Sequence, residues 1–152
     1  MVGMVNVNPH LPDPQLQAEF YADVPAKRAF AWIIDAILIA LLTLAVLPFT
    51  AFLALFFLPA LWLILGFLYR WITLSQRSAT WGMRVMAISF RGHSGRPLTS
   101  GEAFMHTLIY SFSMSLVVPQ IISIFTMLLT ERGQSLGDLM LGTVAINNSA
   151  AL

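Results

Sequence analysis

The sequence has no cysteine, which excludes disulfides, thiolate metal sites and cysteine nucleophiles together. It is also short of charge. Asp, Glu, Lys and Arg make up only 10% of the 152 residues, where a soluble domain carries roughly 25%. So few charges cannot cover a water-facing surface of this size. Neither sign dominates, since the net charge is +1. The eight basic residues form no aromatic-interleaved groove, so no nucleic-acid partner is expected. A Walker glycine loop and a His-x-x-x-His zinc pair are missing. His10, His93 and His106 are scattered, and Gly92-His93-Ser94-Gly95 has a turn composition. We therefore expect no enzyme, no metal and no cofactor.

What the chain has is apolar surface: 58% hydrophobic residues and a mean hydropathy of +0.79. The expectation is one all-α membrane domain, a helical bundle of about three apolar spans with short strand-like segments on the cytoplasmic side. Residues 1–24 carry Pro9, Pro12 and Pro14 with acids at Asp13, Glu19 and Asp23. They read as an aqueous arm and not as a cleaved signal. Leu16, Phe20 and Tyr21 would form one amphipathic turn on the membrane surface.

The first apolar run covers 29–47, about 28 Å as a helix, with Asp35 its single charge. The second covers 49–69, kinked near its middle by Pro59 and joined to the first by a very short turn. Residues 70–102 are a polar loop holding five arginines against Glu102. Within it 85–90 reads as a strand and 91–97 as a turn, and Ser100 would cap the next helix. The third apolar run, 103–130, contains Pro119 and has two readings. It is either one long kinked span or a pair of shorter helices, broken at Pro119, that re-enters and returns. Thr80-Trp81-Gly82 is echoed by Ser135-Leu136-Gly137, and each precedes a strand-like stretch, the second at 143–146. Pairing of those strands would favour the returning course.

Arginine placement puts the N-terminus and the 70–102 loop in the cytoplasm by the positive-inside rule, and the expected location is the cytoplasmic (inner) membrane of a bacterium. An aspartate within a span needs a partner or a wet cavity. Asp35 is then either an ion or proton site or a polar contact that pins the bundle. Arg28 lies two turns earlier on the same helix face. His106 sits at a comparable depth in the third run, so the two could meet in a proton relay, or His106 bonds a neighbouring helix. Ser111, Ser113 and Ser115 suit close helix packing. Gln120 would line a cavity or satisfy backbone freed by Pro119. Trp32 and Trp71 suit interface anchors.

This arrangement resembles the RDD family of membrane proteins, named for one arginine and two aspartates. Arg28 and Asp35 match in Lys27-Arg28-Ala29-Phe30-Ala31-Trp32-Ile33-Ile34-Asp35, and Asp138 matches in Leu136-Gly137-Asp138. Thr80-Trp81-Gly82-Met83-Arg84-Val85 looks like the family's Thr-x-Gly stretch. The likeness covers residues 25–147, leaving 148–152 as a tail. Met83, Gly137 and His106 depart from residues the family commonly places there, so the chain is somewhat divergent. The resemblance implies that Arg28, Asp35 and Asp138 form one polar constellation, structural or ion-binding, with Arg84, His106 and Gln120 in support. It implies that Asp138 reaches Arg28 or Arg84. Two functions follow as expectations. One is a structural, accessory or assembly subunit of a larger membrane complex. The other is an oligomeric transporter of protons, cations or a small ligand. Partners would be the lipid bilayer and other membrane subunits or further copies of the chain.

Overall fold

The structure, a computed structural model, describes residues 8–151. Residues 1–7 of the expected arm lie outside them. Helix α1 runs Val24–Val46, with Pro25 in its first turn, where a missing N–H costs nothing. It starts five residues before the apolar run does, so Arg28 belongs to the helix and not to the approach. At 23 residues it is about 34 Å long and can cross the hydrocarbon core.

The second span differs from expectation. Residues 47–57 form two short 3₁₀ segments, Leu47–Thr50 and Leu53–Phe57, separated by Ala51 and Phe52 at positive φ. Helix α2 then runs Leu58–Arg77. Pro59 lies in its first turn and starts the helix instead of kinking it. The span is therefore displaced toward the polar loop, and Arg70 is carried within α2.

The loop is ordered around two short elements. Thr80 caps helix α3, Trp81–Val85, by accepting from the Met83 N–H. Strand β1 is Ile88–Arg91, so the start of the expected strand is helix and a turn with Ala87 at positive φ. Helix α4, Ser100–Ser115, is capped by Thr99, not Ser100, in a capping box with Glu102. Helix α5 is Val117–Leu129.

The third apolar run is broken, but at Leu116 and not at Pro119. Leu116 is extended (φ −124°, ψ 136°), and α4 and α5 meet at a 117° bend. Proline explains the offset. Pro119 has no N–H to offer the Ser115 carbonyl four residues back, so the helix ends upstream and Pro119 falls in the first turn of the next. Helix α6, Leu136–Leu141, and strand β2, Val144–Asn147, complete the chain. The strands β1 and β2 pair antiparallel, with Ser89 opposite Ile146 and Phe90 opposite Ala145. The chain before α4 and the chain after α5 therefore meet at one end of the bundle, and the α4–α5 pair enters and returns on that side.

Burial is inverted relative to a soluble domain. Phe49, Phe56 and Leu129 are at least 80% exposed, while Asp35, Thr80, Thr107, Asp138 and Thr143 are buried. Apolar side chains face outward along α1, α2 and α5, where lipid meets them. The arm does not float as a surface turn. Tyr21 is buried with Leu11, Val144 and Ile146, and its hydroxyl donates to the Pro12 carbonyl (2.7 Å). Leu16 remains exposed.

Candidate functional site

The two aspartates are the centres of two separate polar clusters. Asp35, on the inner face of α1, accepts three hydrogen bonds. Its Oδ1 takes the Tyr69 hydroxyl (2.6 Å) and the Gly82 N–H (2.8 Å), and its Oδ2 takes the Thr80 hydroxyl (2.6 Å). The Tyr69 oxygen in turn accepts from the Trp81 N–H (3.2 Å). The carboxylate thus staples the N-terminus of α3 to α1, where the exposed N–H groups favour an anion. Thr80 supplies a cap and a donor at once. Gly82 is required because a Cβ there would strike the Ala31 carbonyl and stand 2.8 Å from Asp35 Oδ1. Thr-x-Gly is the docking surface for the first aspartate.

Asp138 sits in the first turn of α6 and is fully buried. Five donors converge on its carboxylate. Arg28 Nη1 (2.5 Å), the Ser135 N–H (3.0 Å) and the Ser135 hydroxyl (2.9 Å) reach Oδ2. His106 Nε2 (2.7 Å) and the Thr143 hydroxyl (2.7 Å) reach Oδ1. Burial pushes this carboxyl up, yet the Arg28 charge, followed by the His106 and Thr143 bonds, outweighs it and holds the group well below the usual carboxylate range. Arg28 also donates to the Gly133 carbonyl (3.1 Å) and stacks over Phe90, 5.2 Å from the ring centroid. Its partner is therefore the tail, as one of the two expected pairings has it. Arg84 instead stacks on Trp81 at 4.5 Å.

His106 bonds Asp138 and not Asp35, so no Asp35–His106 relay forms. It lies nearly two turns from the start of α4 and faces α6. Gln120 and Ser113 line a cavity of about 560 Å³ with Arg28, Asp35, Arg70 and Tyr110. Ser115 bonds back to the Ser111 carbonyl within α4. Trp32 Nε1 donates to Tyr110 (2.8 Å), tying α1 to α4, and Trp71 Nε1 donates to the Ser100 carbonyl (3.2 Å).

Model comparison settles the family. The RDD family model matches residues 23–142. The chain belongs to the RDD family. Arg28, Asp35 and Asp138 thus stand within the matched region of this RDD protein, and the apolar helices make it an integral membrane protein. No similar curated protein and no similar solved structure was found.

Three participants escaped the sequence reading. In the sequence Tyr69 ends the 49–69 apolar run, Ser135 opens the Ser135-Leu136-Gly137 echo and Thr143 opens the 143–146 strand-like stretch, and none carries a charge that marks it as an aspartate's partner. Ser135 also lies in Gly133-Gln134-Ser135-Leu136-Gly137, whose spacing is that of a hydrolase nucleophile turn. In this RDD protein the segment follows a helix and a loop, not a strand. The Ser135 hydroxyl bonds the Asp138 carboxylate and accepts the Asp138 N–H (3.2 Å), while His106 bonds Asp138 alone. It is a capping box. The useful signal was Ser135 standing three residues before an acid.

Proposed function

We propose that this RDD protein is a small structural or accessory subunit of a larger complex in the bacterial cytoplasmic membrane, with no catalytic step of its own. One observation carries the reading. Every member of the Arg28, Asp35 and Asp138 signature is committed to joining one segment of this chain to another. Asp35 joins α1 to α3 and α2, and Asp138 joins α6 to α1, α4 and Thr143, the residue that leads into β2. Charges spent on internal joints give a rigid platform. The broad apolar faces of α1, α2 and α5 are then available to neighbouring subunits as well as to lipid. Five arginines between residues 70 and 102 favour an orientation with that loop, the arm and the tail in the cytoplasm. Purification in a gentle detergent tests the role. A defined complex in stoichiometric amounts supports it, and a chain that runs alone or only with copies of itself overturns it.

A second reading rests on the cavity, which reaches Asp35 from the bundle interior. An aspartate that touches a cavity in a membrane domain can exchange a proton or cation with it. Proteoliposomes with Asp35→Asn decide this. Unchanged flux from a folded variant removes the transport reading.

A further inference from the structure

The cavity of about 560 Å³ has a polar end and an apolar wall. Helices α1 and α5 share little packing, since α1 packs chiefly on α2 and α3 while α5 packs on α4 and α6. The space between them is the cavity. Ile33 of α1 and Ile124 and Leu128 of α5 line it and are also 44–64% exposed on the outer surface. Part of its rim therefore lies on the apolar outer face of the bundle, the face that meets lipid.

Arg70 lies at the polar end. Its guanidinium stacks on the Tyr110 ring at 4.0 Å, and Nε is buried with no hydrogen-bond partner. Among the described residues no carboxylate forms an ion pair with it. The two nearby aspartates act on it only at longer range and are already occupied, Asp35 by three donors and Asp138 by five. A carboxylate offers about four lone-pair sites, so Asp138 has none to spare. Arginine is the residue that suits a planar, bidentate grip on phosphate. A cation left without an acceptor inside an apolar domain is costly unless something anionic reaches it.

We propose that this cavity seats an anionic phospholipid, entering between α1 and α5 from the loop-side leaflet. Its phosphate meets Arg70, and part of one acyl chain lies along Ile33, Ile124 and Leu128. The lipid-facing rim commits the site to a lipid, because a soluble anion would have to cross that apolar edge. The volume fits a headgroup phosphate with a length of chain, within the usual range for small-molecule sites of roughly 300–1,000 Å³. Gln120, Ser113 and the Tyr110 hydroxyl also line the cavity and complete the headgroup contacts, while the Asp35 carboxylate on the same lining is neutralised by its three donors. The proposal does not depend on the accessory role.

The test places the full chain in phosphatidylcholine nanodiscs containing acyl-brominated phosphatidylglycerol. Trp32 lines the cavity, and its fluorescence is isolated as the difference between wild type and Trp32→Phe. Brominated phosphatidylglycerol should half-quench Trp32 at about a tenfold lower mole fraction than equally brominated phosphatidylcholine, as one charge-assisted pair provides. Folded Arg70→Gln should lose that preference and Arg70→Lys should keep part of it. Inorganic phosphate in excess should leave it intact. Equal quenching by the two lipids overturns the proposal, as does full preference in Arg70→Gln. Displacement by inorganic phosphate assigns the site to a free anion and overturns the lipid. Should Arg70→Gln fail to fold, Gln120→Leu provides the second reading, with a reduced preference expected and an unaltered one contrary.

Discussion

Arg28 and Asp138 stand 110 residues apart in sequence and share a hydrogen bond of 2.5 Å between Nη1 and Oδ2. Asp138 is fully buried and Arg28 nearly so, with side-chain exposures of 0% and 12%. The pair joins the first turns of the first span to the last helix of the chain. Its energetics follow from burial. Removing either partner strands a charge out of water, whereas removing both strands none.

Asp138→Ala and Arg28→Met should each destabilise the detergent-solubilised protein by about 3–5 kcal/mol. The double variant should lose clearly less than the sum of the two. Chemical or thermal unfolding of the three variants checks this, and simple additivity would contradict the pairing.

Acid should uncouple the tail. The folded Asp138 carboxyl lies well below its unfolded value of about 3.9. The stability it contributes is therefore complete above that value and is lost as pH falls toward the folded one. Melting temperature should hold from neutral pH to about pH 5 and drop below about pH 4. In Asp138→Asn the starting stability should be lower and the acid drop smaller. An equal drop in both proteins would place the acid-sensitive group elsewhere.

Glycine positions separate cleanly. Gly82→Ala should be strongly destabilising, because the added methyl meets the Ala31 backbone and Asp35 Oδ1. Gly101→Ala, with nothing within 4 Å of its Cβ, should be neutral or slightly stabilising for α4. Expression and melting of the two variants measure the contrast, and similar behaviour would contradict the staple.

Thr80→Ala removes both a helix cap and a donor to Asp35. A loss of about 2–4 kcal/mol is expected, combining a cap of about 1 with a buried acceptor deprived of its donor at about 1–3. Thr80→Ser should recover most of it. If serine fails to rescue in melting experiments, the hydroxyl is not what matters.

The re-entrant course is open to labelling, helped by the absence of native cysteine. Ser94→Cys and Ser149→Cys should react with an impermeant maleimide from one side of sealed vesicles, and Phe56→Cys from the other. Reaction of the first two from opposite sides would mean that α4 and α5 cross together as one span.

Much of this was legible in the sequence, and the losses have physical causes. Asp35 stood out because a charge in an apolar run has no cheap explanation. The echo of Thr80-Trp81-Gly82 in Ser135-Leu136-Gly137 pointed to paired strands, and β1 and β2 do pair. Pro59 and Pro119 misled in the same way. Each was read as an interruption of a helix, and each lies in a first turn, since proline removes a donor that the first turn never uses. The partners of the aspartates were hidden for another reason. Tyr69, Thr80 and Thr143 are uncharged, and hydropathy passes over a hydroxyl in an apolar or loop context. Arg28 was set beside Asp35 by helix periodicity, but long-range strand pairing brings Asp138 to it instead.

The order of elements has a last consequence. Two long helices, a capped short helix and a strand (α1, α2, α3, β1) are followed by two helices, a capped short helix and a strand (α4, α5, α6, β2). The same order of helices and strand thus occurs twice, and the second occurrence is shallower. Its helices have 16 and 13 residues, about 24 and 20 Å, against about 34 and 30 Å in the first. The leaflet beside the loops therefore meets four helices and two polar clusters, whereas the opposite leaflet meets a bare hairpin. A neighbour of any kind that docks in that far half meets only α1, α2 and the phenylalanine-rich turn between them.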